Sequence, residues 1–365
     1  MSQSPIALIG AGAVTSLGAS LTTTMPALRA ELDNFQDTHF LDGHNEPVIG
    51  AKIPSLDNAY YESSDDSQDT DEDQNDKVVG GLATQFNWAC LAIEEALSYI
   101  DLNNYQEYCL MLVSPSENQP NLIDYESLYQ QIVEHCQTFI HEERLYHIHL
   151  PFGETATATA INKSQQWLYE DGCPKRVVIL VGSDSWLNIK RVESGLKNKR
   201  ILCDLQAEGF IPGEAASAVI FTQQSQSEYA ALSIINATID QEDRSLVSGR
   251  NSLADGLTKA TQSALDASGI KAEDINLLLT DLGGEEYFFT ESILSWARIL
   301  RVDMTGQYEK HFTNTYTGHL GTVNGVFLLA YAWALQIKGQ HPGLNTLIQL
   351  TSEDTQRAAI TAQTN

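Results

Sequence analysis

Apolar residues recur along the chain in two patterns, as short runs rich in Val, Ile and Leu and as longer stretches with helical spacing. Short apolar runs bounded by polar or turn residues predict buried strands. The predicted strands cover residues 5–10, 108–113, 145–150, 176–181, 215–221, 229–239, 275–280 and 344–350. All but 229–239 are too short for an ordinary helix, and they are rich in the residues that pack well in a sheet.

Helical spacing of apolar residues predicts helices between these strands. The predicted helices cover residues 21–32, 78–100, 125–139, 157–171, 252–268, 290–301 and 326–337. Gly172 is placed to end the fourth of them. Residues 326–337 are almost entirely apolar, which predicts a helix that is buried on most sides. Residues 33–55 show neither pattern and are predicted to form loops.

The order of these elements indicates an α/β protein with apolar central strands. A second series of strands and helices begins near residue 226 and resembles the first in its order. We therefore expect two duplicated halves, residues 1–225 and 226–365. Residues 60–77 interrupt the first half with an acidic segment of almost no apolar content, which predicts a solvated loop. A docking site for a basic partner is the alternative interpretation of this segment.

The charge of the chain limits its partners. It carries 48 acidic and 21 basic residues, a formal net charge of −27, and eight of the acidic residues lie between positions 62 and 76. Such a balance argues against binding nucleic acid or an anionic membrane surface. No apolar run approaches the length of about 18 residues that spans a bilayer, so no membrane span is expected.

The cysteines and the N-terminus suggest a cytoplasmic protein. The five cysteines form no CxxC pair and have no histidine at metal-ligand spacing, which favours buried free thiols in a reducing compartment; they are Cys90, Cys109, Cys136, Cys173 and Cys203. The first residues lack the basic region of a signal peptide.

Two features raise the question of a bound cofactor or metal. Residues 10–12, Gly-Ala-Gly, follow the first predicted strand and partly match a dinucleotide-binding turn, but the third glycine is misplaced. His147 and His149 lie on one face of a predicted strand, either as ligands or as ordinary strand residues. No third ligand is evident, and we predict no cofactor and no metal.

One histidine has the surroundings of an active-site residue. His319 lies in the segment NTYTGHLGTVNG, residues 314–325, directly before the apolar helix. Gly318, Gly321 and Gly325 allow tight turns and close approach of the backbone. The segment is therefore either an active-site loop or a structural loop with one hydrogen-bonded histidine.

Four segments, in order, resemble the β-ketoacyl-(acyl carrier protein) synthases of the thiolase superfamily. They are IALIGAGAVTSLG at residues 6–18, CDLQAEGFIPGEAASAVIF at 203–221, ASGIKAEDINLLLTDLGGEEYF at 267–288 and YTGHLGTVNG at 316–325. The resemblance implies a five-layered αβαβα thiolase fold and acyl-thioester condensation. It also implies a homodimer, or a heterodimer with an active synthase, joined through the strand beside the nucleophile position.

The chemistry implied by this resemblance uses a cysteine thiolate at a helix N-terminus, two histidines and a lysine. The nucleophile position falls at Glu154 or Thr155, within FGETATATAINKS, and has no cysteine. The first histidine position falls at Thr280 or Asp281, and the lysine position falls at Asn314. Only His319 is retained. The glycine-rich turn expected near residues 350–356 reads LTSEDTQ and contains no glycine.

These departures predict that the chain does not condense acyl groups. A threonine hydroxyl needs an adjacent base, and a carboxylate at 154 or 281 would repel a malonyl group or a developing enolate. We therefore expect a non-condensing partner or scaffold, comparable to the chain-length factors that pair with an active synthase. The high acidity also disfavours docking of an acidic carrier protein.

Three alternatives remain open from the sequence. Thr155, Asp281 and His319 could form a nucleophile, base and orienting group of an acyltransferase or thioesterase, or Glu154 could be a general base with a raised pKa. A retained acyl tunnel could bind an acyl thioester without catalysis. Residual 3-oxoacyl-(acyl carrier protein) synthase activity is the third.

Overall fold

The computed structural model describes residues 4–54, 81–170, 175–226, 232–299 and 308–364. The acidic segment at 60–77, Gly172 and Cys173 lie outside these residues. The described strands are β1 Ile6–Thr15, β2 Phe35–Leu41, β3 Pro47–Ala51, β4 Glu107–Val113, β5 Leu145–Leu150, β6 Arg176–Ser185, β7 Glu214–Gln223, β8 Leu232–Gln241, β9 Ile275–Thr280, β10 Glu309–Phe312, β11 Asn345–Thr351 and β12 Gln356–Thr364. The helices are α1 Leu21–Arg29, α2 Leu82–Leu97, α3 Tyr125–Gln137, α4 Ala156–Leu168, α5 Ile189–Lys197, α6 Asp255–Ser268, α7 Glu286–Ile299, the single turn α8 Asn314–Thr317 and α9 Asn324–Ile337.

Ten strands hydrogen-bond in the order β10-β9-β11-β12-β8-β1-β7-β6-β4-β5. They form two sets of five with the same topology. In the first set, β1 pairs antiparallel with β7, β7 pairs antiparallel with β6, and β4 and β5 follow in parallel pairings. In the second set, β8 pairs antiparallel with β12, β12 pairs antiparallel with β11, and β9 and β10 follow in parallel pairings. A short antiparallel pairing of β1 with β8 joins the sets. This repeated order is what the predicted duplication requires.

The helices fall into three layers around these two sets. Helices α4 and α9 each contact strands of both sets and therefore lie between them. Helix α2 covers the outer face of the first set together with α3, and α6 covers the second together with α7. The predicted five-layered α/β fold is confirmed. Because α9 lies in the middle layer, its residues from Asn324 to Leu335 are all buried, as the apolar pattern predicted.

The glycines of the first strand have a different role from the one considered from the sequence. Strand β1 continues through residues 10–12 to Thr15 and makes no phosphate-binding turn there. A Cβ at Gly10 would lie 2.5 Å from the carbonyl oxygen of Ala96, and one at Gly12 would lie 2.2 Å from that of Ala92. The glycines therefore allow helix α2 to pack directly against the strand.

Six described elements were not predicted, namely β2, β3, α5, the single turn α8, β10 and β12. Residues 33–55, predicted as loops, contain the hairpin of β2 and β3, whose outer face is polar and hides the strand pattern. Helix α5, β10 and the last strand β12 were also missed. Strand β12 follows the predicted final strand at 344–350, and its buried charge at Arg357 interrupts the apolar run. The remaining elements are found with ends shifted by a few residues.

Candidate functional site

The loop that carries His319 is fixed by its glycines and its backbone. Gly318 and Gly321 have φ angles of +72° and +57°, a region that L side chains rarely occupy. The backbone amide of His319 donates to the carbonyl of Ile211 at 2.8 Å, and the amide of Gly213 donates to the carbonyl of His319 at 3.2 Å. The loop is thus held beside the segment that leads into β7.

The imidazole of His319 is enclosed by aromatic rings. Its ring centroid lies 4.7 Å from that of Phe210 and 5.5 Å from that of Trp186, and the residue is only 8% exposed. Burial lowers the pKa of His319 to about 3, and the positive charges of Arg200 and Arg191 act in the same direction. The imidazole is therefore neutral at physiological pH.

Two carboxamides determine which nitrogen carries the proton. The Nδ2 atoms of Asn314 and Asn324 lie 3.4 and 3.3 Å from Nδ1 of His319. Because both are donors, Nδ1 accepts and the proton resides on Nε2. Asn314 also donates to the backbone carbonyl of Asp281 at 2.8 Å. The predicted lysine position is thus occupied by an uncharged group that orients the imidazole.

A buried ion pair supports the loop from below. Nη1 of Arg191 lies 2.8 Å from Oδ1 of Asp184, and both side chains are inaccessible to solvent. The other carboxylate oxygen accepts a hydrogen bond from the backbone amide of Thr322 at 3.0 Å, and the hydroxyl of Tyr125 donates to Oδ1 at 2.7 Å. The end of β6 is thereby connected to both α5 and the His319 loop.

At the predicted nucleophile position, the hydroxyl of Thr155 has a partner that cannot activate it. Thr155 is buried directly before helix α4, and its Oγ1 donates to Oε1 of Gln356 at 2.8 Å. A carboxamide oxygen accepts this hydrogen bond but is not a useful base at neutral pH. The hydroxyl therefore links α4 to β12 in the opposite half.

The neighbouring carboxylate of Glu154 is buried between the same two halves. It accepts hydrogen bonds from Gln119 at 2.7 Å and from Ser352 at 3.1 Å. Burial raises its pKa to about 7, and the negative charge of Glu353 adds to the effect. The raised pKa considered from the sequence is thus present, in a side chain that bridges Gln119 and Ser352.

The carboxylate of Asp281 stabilises the backbone of β11. Its Oδ2 accepts from the backbone amide of Thr351 at 2.7 Å, and both oxygens lie within 3.3 Å of the Thr351 hydroxyl. Burial raises the pKa of Asp281 to about 7, although the hydrogen bonds from Thr351 oppose the shift. Within the described residues, no hydrogen bond joins the side chains of Thr155, Asp281 and His319.

The structure adds groups around His319 that the sequence did not single out. Arg200 forms a bidentate pair with Glu285, at 2.7 and 2.9 Å, and an ion pair with Glu353. Its guanidinium also lies over the rings of Trp186 and Phe210. No sequence pattern distinguished Arg200, because it directly follows the polar residues Lys197, Asn198 and Lys199.

A buried arginine also holds the turn where the resemblance implied glycines. Arg357 is fully buried and pairs with Glu291 at 2.7 Å. Its Nη1 donates to the carbonyls of Ser352 and Asp354 at 3.0 and 3.1 Å. The turn between β11 and β12 is therefore fixed by side-chain hydrogen bonds instead of by glycine conformations.

Three of the described cysteines, Cys90, Cys109 and Cys136, have buried thiols whose environments disfavour the thiolate. Cys90 and Cys136 lie on helices α2 and α3 of an outer layer, and Cys109 lies within β4. Burial raises the pKa of Cys109 and of Cys136 to about 12, so both thiols stay protonated at neutral pH. Cys203 is partly exposed.

The two strand histidines make ordinary hydrogen bonds around helix α3. His147 Nδ1 lies 2.5 Å from the hydroxyl of Tyr129, and His149 contacts Ser114 at 2.8 Å and Glu126 at 3.0 Å. In the described part of the chain, no three side chains of metal-ligating type come together. Nor does any helix there combine the length and apolarity needed to cross a bilayer.

Comparison with known proteins identifies the fold. No protein-family model matches the chain, and no curated protein matches it in sequence. An oxazolomycin ketosynthase domain of Streptomyces albus JA3453 superposes with a TM-score of 0.73 at 12% identity, over 99% of this chain and 74% of that one. The ishigamide ketosynthase/chain length factor superposes with a TM-score of 0.74 at 11% identity, over 100% of both chains.

A third structure is the ketosynthase ApeO in complex with its chain length factor ApeC from Xenorhabdus doucetiae. It superposes with a TM-score of 0.65 at 12% identity, over 99% of this chain and 98% of the matched chain. These neighbours superpose on essentially the whole of this chain. At such low identity the likeness concerns the backbone. The chain therefore has the thiolase-like fold of ketosynthases and chain length factors.

Proposed function

We propose that the chain is a non-condensing member of this fold that acts as a partner or scaffold of an active synthase, as a chain length factor does. The observation that carries the proposal is the enclosure of His319 between Phe210 and Trp186, with its one lone-pair nitrogen held by Asn314 and Asn324. An imidazole in this position supports the packing of the loop, and no thiol of the described residues hydrogen-bonds to it. Two of the structural neighbours are named as pairs of a ketosynthase and a chain length factor.

The electrostatics support the absence of condensation. Decarboxylation of a malonyl thioester develops negative charge, which needs positively polarised donors around it. The sequence resemblance puts the nucleophile position at Glu154 or Thr155 and the first-histidine position at Thr280 or Asp281, and the carboxylates of Glu154 and Asp281 are buried there. Their pKa values near 7 make them partly anionic at neutral pH, and a second negative charge would be repelled.

An altered acyltransferase or thioesterase is the second candidate, and the geometry gives it little support. It needs a hydroxyl, a base and an orienting group connected by hydrogen bonds. Thr155 donates to Gln356, Asp281 accepts from Thr351, and His319 accepts from two carboxamides. The same contacts weigh against residual 3-oxoacyl synthase activity.

Acyl-thioester turnover tests the proposal directly. Acetyl-, octanoyl- and malonyl-coenzyme A are incubated with the wild-type protein, with His319→Ala and with Thr155→Ala, and thiol release and decarboxylation are measured. We expect all three proteins to give the rate of the buffer. A wild-type rate above the buffer that falls at least tenfold in either variant would establish catalysis and overturn the proposal.

Partner association is the complementary test. A tagged copy of the chain is expressed in its native host, purified under mild conditions, and its bound proteins are identified by mass spectrometry. We expect a condensing synthase of the same fold in stoichiometric amount. Recovery of the chain alone, or as a homodimer only, would contradict the heterodimer.

The finer assignments are part of the same proposal. We assign the two halves to residues 1–225 and 226–365, and we assign the protein to the cytoplasm. An acyl thioester is a ligand that such a subunit would encounter at the interface with its partner. The edge strand β5, which leads through Gly153–Thr155 into α4, is the surface that we propose for that interface.

A further inference from the structure

A cavity of about 230 Å³, lined mainly by polar residues, lies next to the aromatic rings that enclose His319. Its wall includes the side chains of Arg200 and Glu285 and the backbone at Gly209. Gly209 directly precedes Phe210, whose ring centroid lies 4.7 Å from that of His319. The imidazole therefore lies behind the wall of this cavity, and it is only 8% exposed.

The side chain of Arg200 lies between the cavity and the two rings. Its guanidinium carbon is 5.1 Å from the ring centroid of Phe210 and 5.5 Å from that of Trp186. A guanidinium over an aromatic face is a favourable contact. The positive charge of Arg200 also contributes to the lowered pKa of His319, which agrees with this short separation. One long side chain thus separates the cavity from the aromatic enclosure of the imidazole.

Two carboxylates hold this arginine in place. Its Nε and Nη2 atoms lie 2.7 and 2.9 Å from the two carboxylate oxygens of Glu285, and its Nη1 forms an ion pair with Glu353. Two parallel hydrogen bonds fix the plane of a guanidinium as well as its position. The side chains of Arg200, Glu285 and Glu353 are 8%, 11% and 28% exposed, so the cluster lies at the boundary between the interior and solvent.

The three charged residues come from different parts of the fold. Arg200 precedes β7 of the first set of strands. Glu285 directly precedes α7, and Glu353 lies in the turn between β11 and β12, so both belong to the second set. The contact therefore depends on how the two sets are placed relative to each other.

The neighbouring wall is backbone that has little room to move. A Cβ at Gly284 would lie 2.4 Å from the carbonyl oxygen of Gly209, and one at Gly209 would lie 2.5 Å from that of Arg200. The amide of Gly209 donates to the carbonyl of Gly284 at 3.3 Å, and the amide of Phe210 donates to the carbonyl of Arg200 at 2.8 Å. The side chain of Arg200 is therefore the part of this wall that can move.

We infer that Arg200, Glu285 and Glu353 form a closed ionic gate between this cavity and the enclosed His319. Rotation of the Arg200 side chain away from both carboxylates would join the cavity to the space beside Phe210 and Trp186. In its closed position the gate keeps water and small polar solutes from the imidazole. The inference concerns access to His319 alone and does not depend on the partner function proposed above.

Hydroxyl-radical footprinting of the full chain, read by mass spectrometry of its peptides, tests the gate because it reports the solvent accessibility of aromatic side chains. In the wild type we expect Phe210 and Trp186, which are 0% and 4% exposed, to be protected and the exposed Phe152 to be oxidised. Arg200→Met removes the charge and keeps an unbranched side chain. It should raise the oxidation of Phe210 and Trp186 by about fivefold or more, because the two carboxylates lose their partner and turn towards water.

A matched arginine elsewhere in the fold controls for the loss of a buried cation. Arg176 also pairs with a carboxylate, that of Glu107, and its guanidinium carbon lies 4.7 Å from the ring centroid of Trp167. Arg176→Met should leave the oxidation of Phe210 and Trp186 as it is in the wild type. An equal rise in Arg176→Met and Arg200→Met would overturn the inference.

A milder variant keeps the test decisive if Arg200→Met does not fold. Glu353→Gln removes one ion pair, and it should raise the oxidation of Phe210 and Trp186 by about twofold. Trp88 of helix α2, which is 3% exposed, reports general opening and should stay protected. The inference is overturned if Phe210 and Trp186 react freely in the wild type, if Glu353→Gln leaves them protected, or if Trp88 becomes reactive together with them.

Discussion

Asp184 and Arg191 connect three parts of the molecule through one ion pair, and the pair has no access to water. Removing one partner leaves the other charge buried and uncompensated. We expect Asp184→Ala to lower the free energy of unfolding by roughly 3 kcal/mol or more, measured by urea denaturation. Arg298→Ala is the matched control. It breaks an ion pair with Asp255 whose side chains are 42% and 44% exposed, and it should cost less than about 1 kcal/mol. Similar losses in the two variants would show that the buried pair is not critical.

The buried carboxylate of Glu154 gives the protein a pH dependence of defined sign. Its pKa is raised to about 7 in the folded state, above that of an unfolded glutamate, so the folded state binds more protons between about pH 4 and pH 7. Stability therefore falls as pH rises through this interval. Glu154→Gln removes the titrating group. The free energy of unfolding of the variant, relative to the wild type, should therefore rise by on the order of 2 kcal/mol between pH 5 and pH 8.

Exposed Glu134→Gln controls for the general effect of removing one negative charge from an acidic chain. Its difference from the wild type should not change with pH. Unfolding curves at three pH values measure both differences. A Glu154→Gln difference that stays constant, or that reverses sign, would contradict the burial of an ionisable carboxyl at this position.

At the level of elements, the contact between β1 and α2 depends on the absence of side chains. A Cβ at position 12 would lie 2.2 Å from a backbone oxygen of α2, which cannot move without shifting the helix. We expect Gly12→Ala to cost roughly 2 kcal/mol or to prevent folding, as assessed by thermal unfolding and soluble yield. Gly43→Ala meets only the flexible end of Leu205, at 3.0 Å, and should be nearly neutral. Equal melting temperatures for the two variants would contradict this account of the strand.

Some helices and strands could be predicted from the sequence, and others could not. Elements made almost entirely of apolar residues can be recognised from their composition, and β5, β9 and α9 were predicted with their ends correct or nearly so. Elements that bury a charged side chain were not predicted: α5 packs through Arg191, and β12 begins beside Arg357. Their partners, Asp184 and Glu291, are distant in sequence, so only the fold reveals that these arginines belong to the interior.

In the candidate site, too, some residues could be predicted from the sequence and their partners could not. The resemblance led to His319, Asn314, Asp281, Glu154 and Thr155, and all five are buried near the junction of the two halves. The partners of these residues were not predictable, because Thr351 ends β11, Ser352 lies in the turn and Gln356 begins β12, and sequence patterns assign residues 351–356 to no element. The ring of Phe210 above His319 depends on the crossing of two loops, which leaves no periodic signal.

For the whole molecule, the proposed association with a partner subunit predicts that the binding depends on apolar side chains beside β5. Tyr146 and Phe152 are 49% and 47% exposed at this end of the sheet. We expect Tyr146→Asp and Phe152→Asp together to weaken association at least about tenfold, measured by light scattering and by recovery of the partner, because they introduce charges into an apolar contact. Leu344→Asp, at an exposed position of the second half, is the control and should have no effect. Unchanged association in the double variant would exclude β5 as the interface.

The two borders of the ten-stranded sheet differ in a way that limits the size of any assembly. Strand β5 has six residues with exposed aromatic neighbours, whereas β10 at the opposite border has four, three of which are Glu309, Lys310 and His311. A short border with charged side chains is a poor template for another chain. Two subunits that meet along β5 would therefore each bury the one described edge of the sheet that is suited to association. The complex would then remain a dimer and would not extend into a fibre.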